Sequence, residues 1–328
     1  MKKQWIFKSI FADEIIAYLN LRMSIGHRIN NDRFVLHNLD SYLQTIELKE
    51  KHLPYSIIEE WFSTLAANTG ANTAIVRISH YTQFANYLSS LGYHAFIPEK
   101  PGADHSYVPY IFSQRELDEI VKAADDTVKT STDYGRHTAI CCAIIIRILI
   151  GCGLRIGEAL SLRTEDVDIE TGVLSIRKAK ENKDRLVPMH NSLTNVLRLY
   201  IESSVPQKDG LLFPSKRKMK TISTEVVRGY FNKYLELAGI HKPPLDHKGR
   251  NICIHCLRHT FAVFSFRQLH NEGYDLYDET PILSYYMGHE NIYGTETYLH
   301  NSSEIKSDMI EVMEEYNHAH GIFPEVTR

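Results

Sequence analysis

The sequence is short of excess basic charge, of cysteine and of long apolar runs, and each shortage excludes something. Lys and Arg number 37 against 40 Asp and Glu, a formal net charge of −3, which by itself argues against a nucleic-acid partner, because a phosphate-binding surface normally leaves a basic balance, although the distribution of charge matters more than its sum. Cys141, Cys142, Cys152, Cys253 and Cys256 make an odd set without framework spacing. No disulfide scaffold is therefore expected, and reduced thiols in a cytosol are. Cys253-Ile-His-Cys256 has the C-x-x-C spacing of a zinc or redox site, but it lacks a second ligand pair, so incidental small residues on a packed helix are the plainer reading. The start, Met1-Lys2-Lys3-Gln4-Trp5, shows no leader pattern. The most apolar segment, Ala139 to Ile150, is short for a membrane span and carries Arg147, so a buried helix is expected, in a cytoplasmic protein with no membrane partner.

What is present suits two domains: 328 residues, 43% of them apolar, are enough for two cores. Charge is unevenly placed. Residues 304–328 carry a net −4, leaving +1 for the rest, with basic clusters at Arg177 to Arg185 and at Lys216-Arg217-Lys218-Lys220. Residues 1–104 read as a helical bundle. Apolar residues at three and four spacing run through Phe11 to Leu21 and Phe34 to Ile46, a helix start at Pro54-Tyr55-Ser56 precedes Ile57 to Leu65, and a fourth helix covers Asn72 to Ser90. Ile75, Ile78, Tyr81, Phe84, Ala85 and Leu88 form its buried stripe. Prolines and glycine between residues 98 and 109 mark a linker. A second domain, residues 105–328, opens at the capping box Ser113 to Glu116. It contains a β-hairpin, Gly172 to Lys178 against Arg185 to Met189, among helices at Leu193 to Ile201, Ser223 to Ala238 and Thr280 to Gly288. The expected fold is mainly α with a small β-hairpin or sheet (α+β), ending in an acidic helix over Glu304 to Tyr316.

Chemistry-bearing residues gather in this second domain. Arg155 follows Gly153-Leu154, with Glu158 three residues on, where its carboxylate can orient the guanidinium. Lys180 stands at the shoulder of the hairpin turn. His255-Cys256-Leu257-Arg258-His259 sets a histidine and an arginine on one helical face, with Leu257, Phe261 and Phe264 toward the core. A guanidinium fork matches two oxygens of a phosphate, and a nearby tyrosine hydroxyl can attack phosphorus. Gly288-His289 and, nine residues later, Tyr298 complete the set.

These boxes, in this order, resemble the tyrosine recombinases, or phage-type integrases. The resemblance covers about the last two thirds of the chain, and five separate boxes carry it. It implies catalytic Arg155, Lys180, His255, Arg258, His289 and Tyr298, with Glu158 accessory. Glycines flanking the family's lysine are replaced here by Ala179 and Glu181, which makes Lys183 the reserve candidate; Tyr293 is the decoy beside Tyr298. It further implies a site-specific DNA recombinase, an integrase or transposase of a mobile element, working through a 3′-phosphotyrosyl link without cofactor, metal or ATP. The implied partners are double-stranded recombination sites and a homo-tetramer in which the C-terminal helix docks in a neighbouring protomer. The N-terminal domain would grip DNA, with Lys8, Arg22, Arg28, Arg33 and Arg77 as candidate phosphate contacts. The alternatives are a Xer-like resolvase, a type IB topoisomerase, which shares this chemistry, and a non-catalytic zinc or DNA-binding regulator built on Cys253 and Cys256.

Overall fold

The computed structural model describes residues 5–46, 48–66, 69, 71–99, 109–177, 184–203, 210–215, 220–241 and 252–288. The chain divides into two compact units, Met1–Tyr107 and Val108–Arg328.

In the first unit four helices, α1 (Ala12–Ser24), α2 (Asn30–Leu43), α3 (Tyr55–Ala66) and α4 (Ala71–Ser90), surround a core that includes Phe11, Ile15, Leu36, Trp61 and Phe84. The α4 stripe is buried at Ile78, Tyr81, Phe84, Ala85 and Leu88, while Ile75 stays partly exposed. Helix α2 starts four residues earlier than the apolar spacing indicates and stops at Leu43. The polar run Asn30-Asn31-Asp32 suits a first turn, and Asp32, fully buried, meets His80 Nδ1 at 2.8 Å. Asp40, also buried, accepts from the backbone N–H groups of Lys8 and Ser9 and from Gln44. The carboxylate thus satisfies two main-chain donors of the incoming segment and ties that segment to α2.

The second unit is built on α6 (Asp133–Cys152), which packs against α5 (Gln114–Thr130), α7 (Ile156–Ser161), α8 (Asn191–Ser203), α9 (Thr224–Leu237) and α10 (His255–Asn271). At 20 residues α6 is longer than the apolar run from Ala139 to Ile150 and is apolar enough to cross a membrane by length and composition. Its Ile144, Ile145, Ile146, Ile148 and Leu149 are instead buried inside the unit, and Arg147 pairs with Asp125 at 2.7 Å. Before α5, Ser113 Oγ accepts from the Glu116 N–H, and Glu116 accepts from the Ser113 N–H.

The expected hairpin pairs β2 (Val173–Ile176) with β3 (Arg185–Pro188), antiparallel, with Ile176 opposite Arg185. A third strand, β1 (Val167–Asp168), joins the edge of β2; two residues are too few to show alternation in the sequence. The last described helix, α11 (Leu276–Met287), begins four residues before the expected start at Thr280 and so carries Pro281 inside it. Its cap is Asp275, whose carboxylate accepts from the Tyr277 and Asp278 N–H groups, a stronger start signal than threonine before proline.

Replacing Asp40 with alanine strands two backbone donors in the N-terminal unit. The expected cost is about 1–3 kcal/mol, read from chemical denaturation of the full chain; an unchanged midpoint would show that water replaces the carboxylate freely.

Candidate active site

The end of a helix leaves its last carbonyls without intrahelical partners and carries partial negative charge. At the end of α11 three successive carbonyls are met by three arginines from three distant segments. Arg185 Nε donates to the Tyr286 carbonyl at 2.8 Å, Arg258 Nη2 to Met287 at 2.6 Å, and Arg155 Nη2 to Gly288 at 2.7 Å. Gly288 stops the helix in the left-handed region at φ 67°, and a Cβ there would lie 2.8 Å from Arg185 Nη1. Only glycine lets that guanidinium lie against the backbone.

Each arginine reaches this point through local folding. Helix α6 ends at Gly153, left-handed at φ 58°, where a Cβ would collide with the Phe261 ring. That turn hands the chain to Arg155 and aims the Gly153 carbonyl at Arg258 Nη1, 2.6 Å away. Arg185 is the first residue of β3, on the inward face shared with Val187. Arg258 stands on α10, 2% exposed.

Glu158 binds two of the three together. Its Oε1 lies 3.0 Å from Arg155 Nη1 and 3.1 Å from Arg185 Nη1; Oε2 lies 2.8 Å from Arg185 Nη2 and accepts from the Arg155 backbone N–H at 2.9 Å. The Arg185 contact is a two-pronged fork, the strongest carboxylate geometry available. Burial pushes the Glu158 carboxyl upward, but the bond and charge of Arg185, joined by Arg155, outweigh it and hold the pKa below the ordinary value. Three guanidiniums against this one carboxylate give the group a net charge of +2, an arrangement suited to an anion.

The sequence-predicted residues fare differently. Arg155 and Arg258 converge on α11, and Glu158 hydrogen-bonds both the side chain and the backbone N–H of Arg155. Arg258, however, is not paired with His255 on an open face. It is buried and turned toward main-chain carbonyls, while His255 is exposed and packs edge-on to His259 with ring centroids 4.7 Å apart. The core side of α10 is Leu257, Ala262, Val263 and Phe266, with Phe261 and Phe264 only partly buried. A helix that carries a buried arginine shows no clean apolar stripe. Desolvation by its surroundings and the positive charges of Arg258 and Arg155 lower the His255 pKa, favouring the neutral ring.

Lys180, its reserve Lys183, His289, Tyr298, the decoy Tyr293 and the acidic segment Glu304 to Tyr316 lie outside the described residues. Arg185 is the residue that sequence reasoning missed. It falls within what reads as a solvated basic cluster, yet it is buried, and Arg177 in the same cluster pairs with Asp166 at 2.7 Å. The available signal was strand alternation, which puts Arg185 on the same face as Val187.

Glu158→Gln is expected to destabilise the chain by about 3–5 kcal/mol at neutral pH, because Arg185 is left buried beside a neutral amide. Since the folded pKa of Glu158 is lowered, its contribution is complete above the ordinary glutamate pKa and is lost as pH falls through the folded value. The gap between wild type and variant should therefore narrow in acid, measured by urea denaturation across pH. A gap that widens in acid would contradict the assigned pair.

Comparison with known proteins bears on the fold and the family. The model of the phage integrase family matches residues 111–304. The putative integrase/recombinase y4rE of Sinorhizobium fredii is 26% identical over 306 residues, covering 91% of this chain and 94% of that protein. Tyrosine recombinase XerA of Thermococcus kodakarensis is 33% identical over 156 residues, 47% of this chain and 49% of its own. Among solved structures, XerH site-specific recombinase bound to palindromic difH substrate matches with a TM-score of 0.66 at 18% identity, covering 87% of this chain and 80% of that one. The Tn1549 transposon integrase in complex with circular intermediate DNA matches with a TM-score of 0.60 at 19% identity, covering 92% and 99%. Mostly helical with one small sheet, and matched to the family over more than half its length, the chain belongs to the phage integrase family, the tyrosine recombinases.

Proposed function

We propose that the chain is a site-specific recombinase of a mobile element, an integrase or transposase, and that Tyr298 is its nucleophile. Convergence of Arg155 and Arg258 at the end of α11 carries the reading, because His289 is the next residue of the chain and Tyr298 follows nine residues later. A phosphodiester repels nucleophiles with its charged oxygens and releases a poor 5′ leaving group unless that oxygen is protonated. Arg155 and Arg258 bind the non-bridging oxygens and stabilise the added charge of the pentavalent transition state.

Lys180 gives its proton to the departing 5′ oxygen. His255, biased toward its neutral form, and His289 hydrogen-bond the phosphate or accept the phenolic proton of Tyr298, whose ordinary pKa of roughly 10 must be offset by the arginine field. The product is a 3′-phosphotyrosyl link and a free 5′ hydroxyl. Bond energy is kept in that link, so a second strand's hydroxyl reseals it without ATP.

The finer expectations belong to the same proposal. The DNA partner is a duplex recombination site, gripped also by the N-terminal helical unit, residues 1–104. Exchange proceeds in a homo-tetramer whose acidic C-terminal segment docks in a neighbouring protomer, in the compartment that holds the DNA. The relatives' names support the mobile-element reading: y4rE is a putative integrase/recombinase and the Tn1549 protein a transposon integrase. XerA and XerH keep a resolvase role as the second reading.

The test is a nicked suicide substrate carrying the element's end sequences. Wild type is expected to accumulate a covalent protein–DNA adduct without added metal, and Tyr298→Phe to form none. A product hydrolysed rather than linked, or an adduct that persists in the phenylalanine variant, would overturn the assignment.

A further inference from the structure

The proposed strand transfer gives the C-x-x-C pair at the start of α10 no role, yet its two sulfurs are close. Cys253 is exposed just before α10, Cys256 is 1% exposed in its first turn, and their Sγ atoms are 3.9 Å apart. A disulfide needs about 2.0 Å between sulfurs, so closure asks for roughly 2 Å of movement. Between the two stands His255; two residues beyond Cys256 stands Arg258. Cys253 and His255, with Arg228, line a cavity of about 280 Å³, which gives a small solute access to the exposed sulfur.

We propose that Cys253 and Cys256 form a peroxide-sensitive dithiol that disables the active site when oxidised. The inference deepens the recombinase reading and rests on it for its consequence. The Cys253 thiolate attacks a hydroperoxide: its S–O bond forms, the O–O bond breaks, and a hydroxide or alkoxide leaves. Cys256 then attacks the Cys253 sulfenic sulfur, forming the S–S bond while the S–O bond breaks and water departs. Two electrons pass from the dithiol to the peroxide, and a dithiol reductant reverses the change.

Selectivity follows from position. Cys141, Cys142 and Cys152 are buried, and burial raises their pKa values, to about 11 for Cys141 and about 12 for Cys152. Cys253 shifts the opposite way, because a hydrogen bond from Cys256 and backbone N–H groups of the first turn favour its thiolate. The low-pKa exposed sulfur attacks, and the buried one resolves. Closing the bridge tightens the turn that carries His255 and shifts it relative to Arg155 and Arg258. Misplacement by about 1 Å can cost a catalytic site roughly 10²-fold.

The purified full chain is treated with hydrogen peroxide, then divided between peptide mass mapping and the suicide-substrate assay. The expected result is a Cys253–Cys256 bridge, two hydrogens lighter, with adduct formation falling roughly 10²-fold and returning with dithiothreitol. Cys253→Ser is expected to keep the activity of reduced wild type and to resist peroxide. Absence of the bridge, or a bridge that leaves the adduct rate unchanged, overturns the proposal. If reduced wild type forms no adduct at all, the active-site reading fails instead, and the mass map still decides whether the dithiol closes.

Discussion

The site hangs on one electrostatic fact, the meeting of three guanidiniums with the carbonyl end of α11. A helix terminus that faces the interior must have its open acceptors filled. Here Arg155, Arg185 and Arg258 fill three in succession. Because they come from the end of α6, the start of β3 and the first turns of α10, one contact fixes four elements of the unit together. A cation at the carbonyl end is also where the helix dipole favours it, so the arrangement stabilises charges that would otherwise be costly to keep partly dry.

Concentrating cations this way is expensive unless something negative offsets them. Glu158 does so within the group, taking a fork from Arg185 and a single bond from Arg155. Buried ion pairs of this kind often add little net stability compared with apolar replacements. The pair serves positioning instead: the carboxylate holds the Arg155 plane and leaves the cluster a net positive charge, the feature on which the proposed phosphate binding rests. Gly153 and Gly288 serve the same end, since a side chain at either would collide with Phe261 or with Arg185.

Much of this was legible in the residues, for physical reasons that differ from case to case. Helices α4 and α5 announced themselves because their stripes and caps are local. Arg155 with Glu158 and the Gly288 stop were legible because spacing three apart and a left-handed glycine are short-range matters too. Arg185 was not, since nothing near it in the chain says that an arginine on a strand will be met 27 residues away by Glu158. The burial of Arg258 was hidden for the same reason: its partners are the carbonyls of Gly153 and Met287, and a main-chain acceptor leaves no mark in a sequence. The start of α11 was misplaced because Pro281 looked like an N-terminal signal, whereas Asp275 held the stronger one.

The anchoring of Arg185 and Gly288 gives the proposed proton donor and the proposed nucleophile leashes of different length. Lys180 lies five residues before Arg185, so its backbone can stray no more than about 18 Å from that anchor even when fully stretched. Tyr298 lies ten residues beyond Gly288 and can range about 36 Å. Under the proposed mechanism, the short leash ties the proton donor to the guanidinium cluster of its own subunit. Under the same proposal, the long one leaves the Tyr298 phenol enough chain for attack at its own cluster or at a neighbour's, with the same arginines proposed to receive the phosphate in either mode.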